Sequence, residues 1–145
     1  MPRIWFDPAV TLSDIQRMNA RTMAEHLGIV YTAIGDNSLS ATMPVDDRTR
    51  QPAGLLHGGA SCVLAETLGS IASYLVIDPA HLQPVGLEIN ANHIRGVREG
   101  LVAGTATALH LGKTTHVWDI RIADERGSLV CISRLTVALI KVRQA

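Results

Sequence analysis

The sequence predicts an α+β fold in which about five to six antiparallel strands curl round one long central helix. Three observations carry this expectation. The run Gly58 to Ile77 holds twenty residues with one charged side chain and no proline. Four β-compatible runs follow it, separated by short turn-like segments. The order of elements is helix, hairpin, long helix and then a meander of strands, which differs from the alternation of a parallel sheet.

Each element has a local reason. Thr11 to Leu27 places Leu12, Ile15, Met18, Met23 and Leu27 three to five positions apart among polar residues, with Thr11 or Ser13 able to cap it. This pattern predicts one short amphipathic helix lying on an apolar surface. After Gly28, the runs Ile29 to Ile34 and Ser38 to Pro44 flank Gly35-Asp36-Asn37, a turn composition that predicts a hairpin. Val85, Leu87 and Ile89 then alternate, and Leu101 to Leu111, Val117 to Ala123 and Leu129 to Val142 complete four strands. Their separators are Gly96 to Gly100, Gly112 to Thr114 and Asp124-Glu125-Arg126-Gly127. One domain over residues 1–145 is expected, with 1–27 a lead-in and 28–142 the core.

The long helix is apolar almost all round. A charge at the centre of a membrane span costs about 2.5 to 3.5 kcal/mol, so Glu66 argues for burial in a sheet and against insertion in a bilayer. Ala60, Ser61, Ala65, Gly69, Ala72 and Ser73 supply a small-residue face that a sheet can approach closely.

Composition narrows the function. Thirteen Lys and Arg balance thirteen Asp and Glu, so the basic excess of a nucleic-acid binder is missing. Cys62 and Cys131 are far apart in apolar runs, as expected of reduced thiols, and no metal site is expected. Met1 to Val10 carries Asp7 and two prolines where a secretory signal needs a basic end and an apolar stretch; a cytoplasmic protein is expected. Only five residues are Phe, Trp or Tyr, so the core is expected to be largely aliphatic.

The candidate chemistry lies on and just before the long helix. Glu66 is the anomaly: a glutamate on an apolar helix has a partner or a task, or it lies on a solvent-exposed stripe. Ser70, one turn on, shares its face and can orient the carboxylate or a water. At the helix start, Gly58 leaves a backbone N–H open where the helix dipole favours a developing oxyanion; His57 beside it is a cap or a chemical group. A helix rises about 12 Å from Gly58 to Glu66, whereas reacting atoms must lie about 3 Å apart. If both act on one carbonyl, they come from two subunits, which predicts a homodimer with antiparallel central helices.

These residues carry a resemblance. Ala41-Thr42-Met43-Pro44-Val45, Gln51-Pro52-Ala53-Gly54-Leu55-Leu56-His57-Gly58-Gly59-Ala60-Ser61 and Leu64-Ala65-Glu66-Thr67-Leu68-Gly69-Ser70 form its first part. Val85 to His93, Leu109 to Lys113 and Ser133 to Thr136 continue it. Together they resemble the hotdog-fold thioesterases of the phenylacetate-degradation and Arthrobacter-type 4-hydroxybenzoyl-CoA group. Within that group they resemble the enterobacterial branch that hydrolyses 1,4-dihydroxy-2-naphthoyl-CoA or proofreads enterobactin synthesis. The ordered set is Gln51, His57-Gly58-Gly59, Glu66 nine residues after the histidine and Ser70 four after the glutamate.

The resemblance implies hydrolysis of an acyl-CoA thioester, with an aromatic acyl group and no cofactor. It implies that Glu66 is nucleophile or general base, that the Gly58 N–H and the Gln51 amide hold the oxyanion, that His57 positions the thioester and that Ser70 orients water. It assigns CoA binding to His93, Arg95 and the turn Gly112-Lys113-Thr114-Thr115, and it implies a homodimer assembled as a homotetramer, a dimer of dimers. An aryl carrier-protein thioester is an alternative substrate. A non-catalytic acyl-CoA-binding hotdog protein is a second alternative. A hotdog hydratase is disfavoured, since no Asp accompanies His57 on the helix.

Overall fold

The computed structural model describes residues 2–143; Met1, Gln144 and Ala145, which the expected 1–145 boundaries include, lie outside them. Two short helices, α1 (Leu12–Met18) and α2 (Met23–His26), precede the hairpin β1 (Val30–Ile34) and β2 (Ser38–Pro44). The long helix α3 (Gly58–Val76) follows, then β3 (Leu82–His93), β4 (Leu101–Leu111), β5 (Thr115–Asp124) and β6 (Leu129–Lys141). All six strands join one antiparallel sheet in the order β1-β2-β4-β5-β6-β3. This is the α+β arrangement expected of a hotdog fold.

The sheet wraps α3. The helix packs against β2, β3, β4, β5 and β6, five strands that span about 19 Å at 4.8 Å apart. A helix only about 10 to 12 Å wide reaches all of them because the sheet curves round it. The expected small-residue face is the one that meets the sheet: Ala60, Ser61, Ala65, Gly69, Ala72 and Ser73 are all buried, with Leu64 and Leu68 between them. Contact there is close enough to need the missing side chains. A Cβ on Gly69 would lie 2.6 Å from Leu135 Cδ2, and one on Gly104 of β4 would lie 2.9 Å from Leu68 Cδ1.

The aromatic-poor core still uses its rings. Trp5, Tyr31 and Trp118 are buried, and Trp118 is the bulkiest fully buried side chain. Its indole N–H donates to Ser73 Oγ at 2.8 Å, and the same hydroxyl lies 3.1 Å from Nδ1 of buried His116. One hydroxyl on α3 thus satisfies two buried rings of β5 and fixes the helix against the sheet.

Three expectations require correction. The predicted single helix over Thr11 to Leu27 is two helices. Thr11 and Asp14 form a capping box at its start, but buried Asn19 spends its side chain on the Ile29 carbonyl and the Tyr31 hydroxyl. Arg21 then turns left-handed at φ 61, its N–H held by the Glu25 carboxylate at 2.6 Å, and the helical ladder breaks.

The strand after α3 is not the first rung of the meander. β3 crosses to the far edge beside β6, and Ile94 to Gly100 returns the chain to β4 beside β2.

The third correction concerns α3, which is not enclosed on every side. Cys62, Thr67, Ser70 and Ile71 are half-buried, and Glu66 and Tyr74 are exposed. By length and composition α3 could cross a membrane, yet its apolar face is committed to the sheet. β3 is similarly open: Val85 is 40% and Leu87 62% exposed, although their alternation reads as a half-buried strand.

Candidate active site

The start of α3 leaves a backbone donor open. His57 is the N-cap, and its Nδ1 accepts from the Gly59 N–H at 2.7 Å. The His57 carbonyl accepts from Ala60 and Ser61 at 3.0 and 3.3 Å. Gly58, in the first helical position, keeps its N–H outside these bonds, one of the orphan donors of a helix start. The imidazole of His93, at the end of β3, lies directly over Gly58: a Cβ there would stand 2.6 Å from Nε2. Glycine at 58 therefore gives the space for the ring beside the free N–H.

Gln51 reaches the same corner. Its side-chain oxygen accepts from the Ala53 N–H, which leaves its amide N–H2 as the free end. Gln51, Gly58, Ser61, His93 and Arg95 line one cavity of about 300 Å³.

Glu66 is elsewhere. Two turns along α3, its carboxylate rests on Gly86 of β3, where a Cβ would come within 2.6 Å of Oε1. A register shift between Gly86 and Glu88 bends the strand at that point, a common use of glycine inside a strand. Glu66 and Ser70 face a second groove, separate from the Gln51 cavity. Within one chain the carboxylate and the Gly58 N–H are thus about 12 Å apart along the axis, as the helical rise requires.

The anticipated CoA residues also divide into two groups. His93 and Arg95 lie at the Gln51 end, with His93 opposite Cys131 of β6. Gly112 to Thr115 lies at the other end, where Thr114 accepts from the Leu139 N–H at 2.8 Å. Eight residues of β6 separate these positions, about 26 Å of strand. In that turn the Gly112 N–H is already bonded to the Thr115 carbonyl at 2.9 Å, and the His110 ring leans on Gly112. Lys113 and Thr114 are exposed.

Neither cysteine is set up as a nucleophile. Burial, then the Glu66 charge one turn away, raises the Cys62 thiol above its ordinary pKa. Burial pushes Cys131 up to about 11, whereas an activated thiol is shifted downward. Among the described residues no group of three or more His, Cys, Asp or Glu is placed to hold a metal ion.

Sequence reasoning missed Gly86, Ser61 and the seat of His93 on Gly58. Gly86 carried a usable signal, since a lone glycine between Val85 and Leu87 marks a bulge or a close approach. The other two depend on contacts between distant segments and have no local signature.

Comparison with known proteins agrees with this geometry. Residues 53–131 match the sequence model of the thioesterase superfamily. The chain is 53% identical over 131 residues to the 1,4-dihydroxy-2-naphthoyl-CoA hydrolase of Escherichia coli, covering 90% of this chain and 96% of that one. It is also 53% identical over 131 residues to the proofreading thioesterase EntH of Cronobacter sakazakii, covering 90% and 95%. Among solved structures, a glutamine-to-alanine mutant of thioesterase PA1618 from Pseudomonas aeruginosa superimposes with a TM-score of 0.93 at 50% identity, over 96% of this chain and 99% of that one. The chain belongs to the thioesterase superfamily and is a thioester hydrolase of the hotdog fold.

Proposed function

We propose that the protein hydrolyses an aromatic acyl-CoA to the free acid and CoA, in a site shared by two copies of the chain. The observation that carries this reading is the separation of Glu66 from the Gly58 and Gln51 corner. Each is equipped for one half of thioester hydrolysis, and one chain cannot bring both to the same carbonyl. Two copies packed with α3 antiparallel align the Glu66 of one with the helix start of the other.

In that arrangement the Gly58 N–H, assisted by the Gln51 amide, receives the carbonyl oxygen as it becomes an oxyanion. Glu66 either attacks the carbonyl carbon, expelling the CoA thiolate and leaving an anhydride that water cleaves, or removes a proton from the attacking water. Both routes need the carboxylate in the same place, and both give one acid and one thiol. Ser70, one turn from Glu66, orients the water. His57, tied through Nδ1 to the helix start, positions the thioester through its other ring edge.

CoA phosphates fall to His93 and Arg95 of one chain and to the Gly112 to Thr115 turn of the other, since about 26 Å of strand keeps these groups apart within a chain. The open edge of β3 suits the same dimer, because an exposed strand edge invites a second copy. Two such dimers form the homotetramer. The enzyme acts in the cytoplasm without a cofactor of its own.

Similarity to the proofreading relative favours a second substrate reading, an aryl group on a carrier protein, since the pantetheine arm is common to both carriers. Thiol release from aromatic and aliphatic acyl-CoAs and from an aryl carrier-protein thioester, with Glu66→Ala as control, tests these readings. Release from aromatic acyl-CoA that is lost in Glu66→Ala supports the first. Undiminished release in that variant refutes it, and activity confined to the carrier protein selects the second.

A further inference from the structure

We infer that Met18 and Met23, from the two short N-terminal helices, form the wall that selects the acyl group and are specificity-determining residues of the hydrolase. The inference rests on the reading of Glu66 as the reacting carboxylate. Met18, Thr22 and Met23 face Glu66, Ser70 and Ile71 across a groove of about 320 Å³. A cavity of about 440 Å³ shares Met18, Ser70 and Ile71 with it and continues past Tyr74 to Pro84. Apart from Glu66, no residue lining either space is charged. The occupant that fits is the uncharged acyl group whose carbonyl lies at Glu66, running along α3 toward Tyr74, about 12 Å further on.

The broken helix makes this wall. On one continuous helix Met18 and Met23 would point about 140° apart and could not line one groove. The left-handed turn at Arg21 re-aims the second helix so that both do. The break is held from behind. The Asn19 and Gln16 amides each donate to the Ile29 carbonyl at 3.2 Å, and the Gln16 oxygen accepts from the Tyr31 N–H at 3.0 Å. A fixed backbone thus carries two flexible thioether side chains, 39% and 64% exposed, that can mould to an acyl group. Both lie outside the matched stretch 53–131, so membership of the superfamily does not itself specify this wall.

The test compares kcat/KM for 2-naphthoyl-CoA and acetyl-CoA in the wild type, Met18→Ala, Met18→Leu and Met23→Ala. In parallel, calorimetry measures binding of the non-hydrolysable thioethers naphthacyl-CoA and S-methyl-CoA, with Glu66→Gln as the parent. Met18→Ala should change the naphthoyl-to-acetyl ratio by about tenfold, the scale of an altered apolar contact. Met18→Leu should restore most of the ratio, and Met23→Ala should move it less. The thioether pair should shift in the same sense. Equal losses on both thioesters, or an unchanged ratio in both assays, would overturn the inference. A shifted binding ratio together with near-normal kcat in Glu66→Gln would uphold the groove and overturn the reading of Glu66.

Discussion

The two faces of α3 follow opposite rules. Toward the sheet, Leu64, Ala65, Leu68 and Ala72 are fully buried, and Gly69 is packed so tightly on Leu135 that a methyl group has no room. Away from it, at the four-residue spacing of a single stripe, Cys62, Glu66, Ser70 and Tyr74 remain open or half-open. The first face is finished within one chain. The second carries the proposed chemistry and is left open within one chain. Stability and catalysis can therefore be perturbed separately, and substitutions on the two faces should fail in different assays.

The largest effect expected is on the open face. Glu66→Gln keeps the shape of the side chain and removes its charge and basicity, so kcat should fall about 10³-fold while acyl-CoA still binds. Single-turnover kinetics with a binding titration would check this, and near-normal turnover would contradict it. At the helix start, Gly58→Pro removes the proposed oxyanion donor and adds a Cβ that crowds His93. Proline suits the first helical position, and His57, at ψ 131, already has the extended backbone that precedes a proline. The variant should lose about 10²-fold in kcat. Gly58→Ala crowds His93 equally but retains the N–H, so the difference between the two isolates the hydrogen bond.

On the closed face, Ser73→Ala should destabilise the fold by about 1–3 kcal/mol, because the Trp118 indole loses its acceptor in the interior. Chemical denaturation would measure this, and the substrate preference should not change. The same cluster predicts a pH effect. Burial, with the nearby His110 charge, depresses the His116 pKa below its ordinary value. The unfolded chain thus binds the extra proton first. The stabilisation is complete above about pH 6.5 and is lost as pH falls from there toward the lowered folded value. His116→Gln should flatten that part of the stability profile.

A smaller kinetic effect is expected at the ends of the strands. Arg95→Ala or Lys113→Ala should raise KM for acyl-CoA by about tenfold, the scale of one charge-assisted hydrogen bond. A pantetheine thioester, which lacks the phosphates, should be unaffected. Equal effects on both substrates would remove these residues from the CoA site.

What could be read from the sequence follows the same division. The buried face of α3 was legible because small residues recur at helical spacing, and the strands were legible because Gly and Asp punctuate them. The place of β3 was not, since alternation of Val85, Leu87 and Ile89 identifies a strand without naming its neighbour or saying that its face lies open. The break near Arg21 was equally hidden, because it depends on Asn19 reaching Ile29 and Tyr31. In the site, Glu66 was legible as the one charge on an otherwise apolar helix, and Gly58 as part of the glycine pair that opens it. The fit of Glu66 on Gly86, and of His93 on Gly58, belongs to tertiary contacts that no local pattern encodes.

The central claim, a site made from two chains, is tested most directly by mixing two impaired variants. Glu66→Ala lacks the carboxylate and Gln51→Ala weakens the oxyanion corner, and differently tagged copies can be co-expressed and the mixed species purified. If each site takes Glu66 from one chain and Gln51 from the other, every mixed dimer holds one intact site and one doubly altered site. An unfractionated equal mixture should then recover about a quarter of wild-type turnover, because half its dimers are mixed. If each chain works alone, the mixture will show only the average of the two residual activities, and the shared site is wrong.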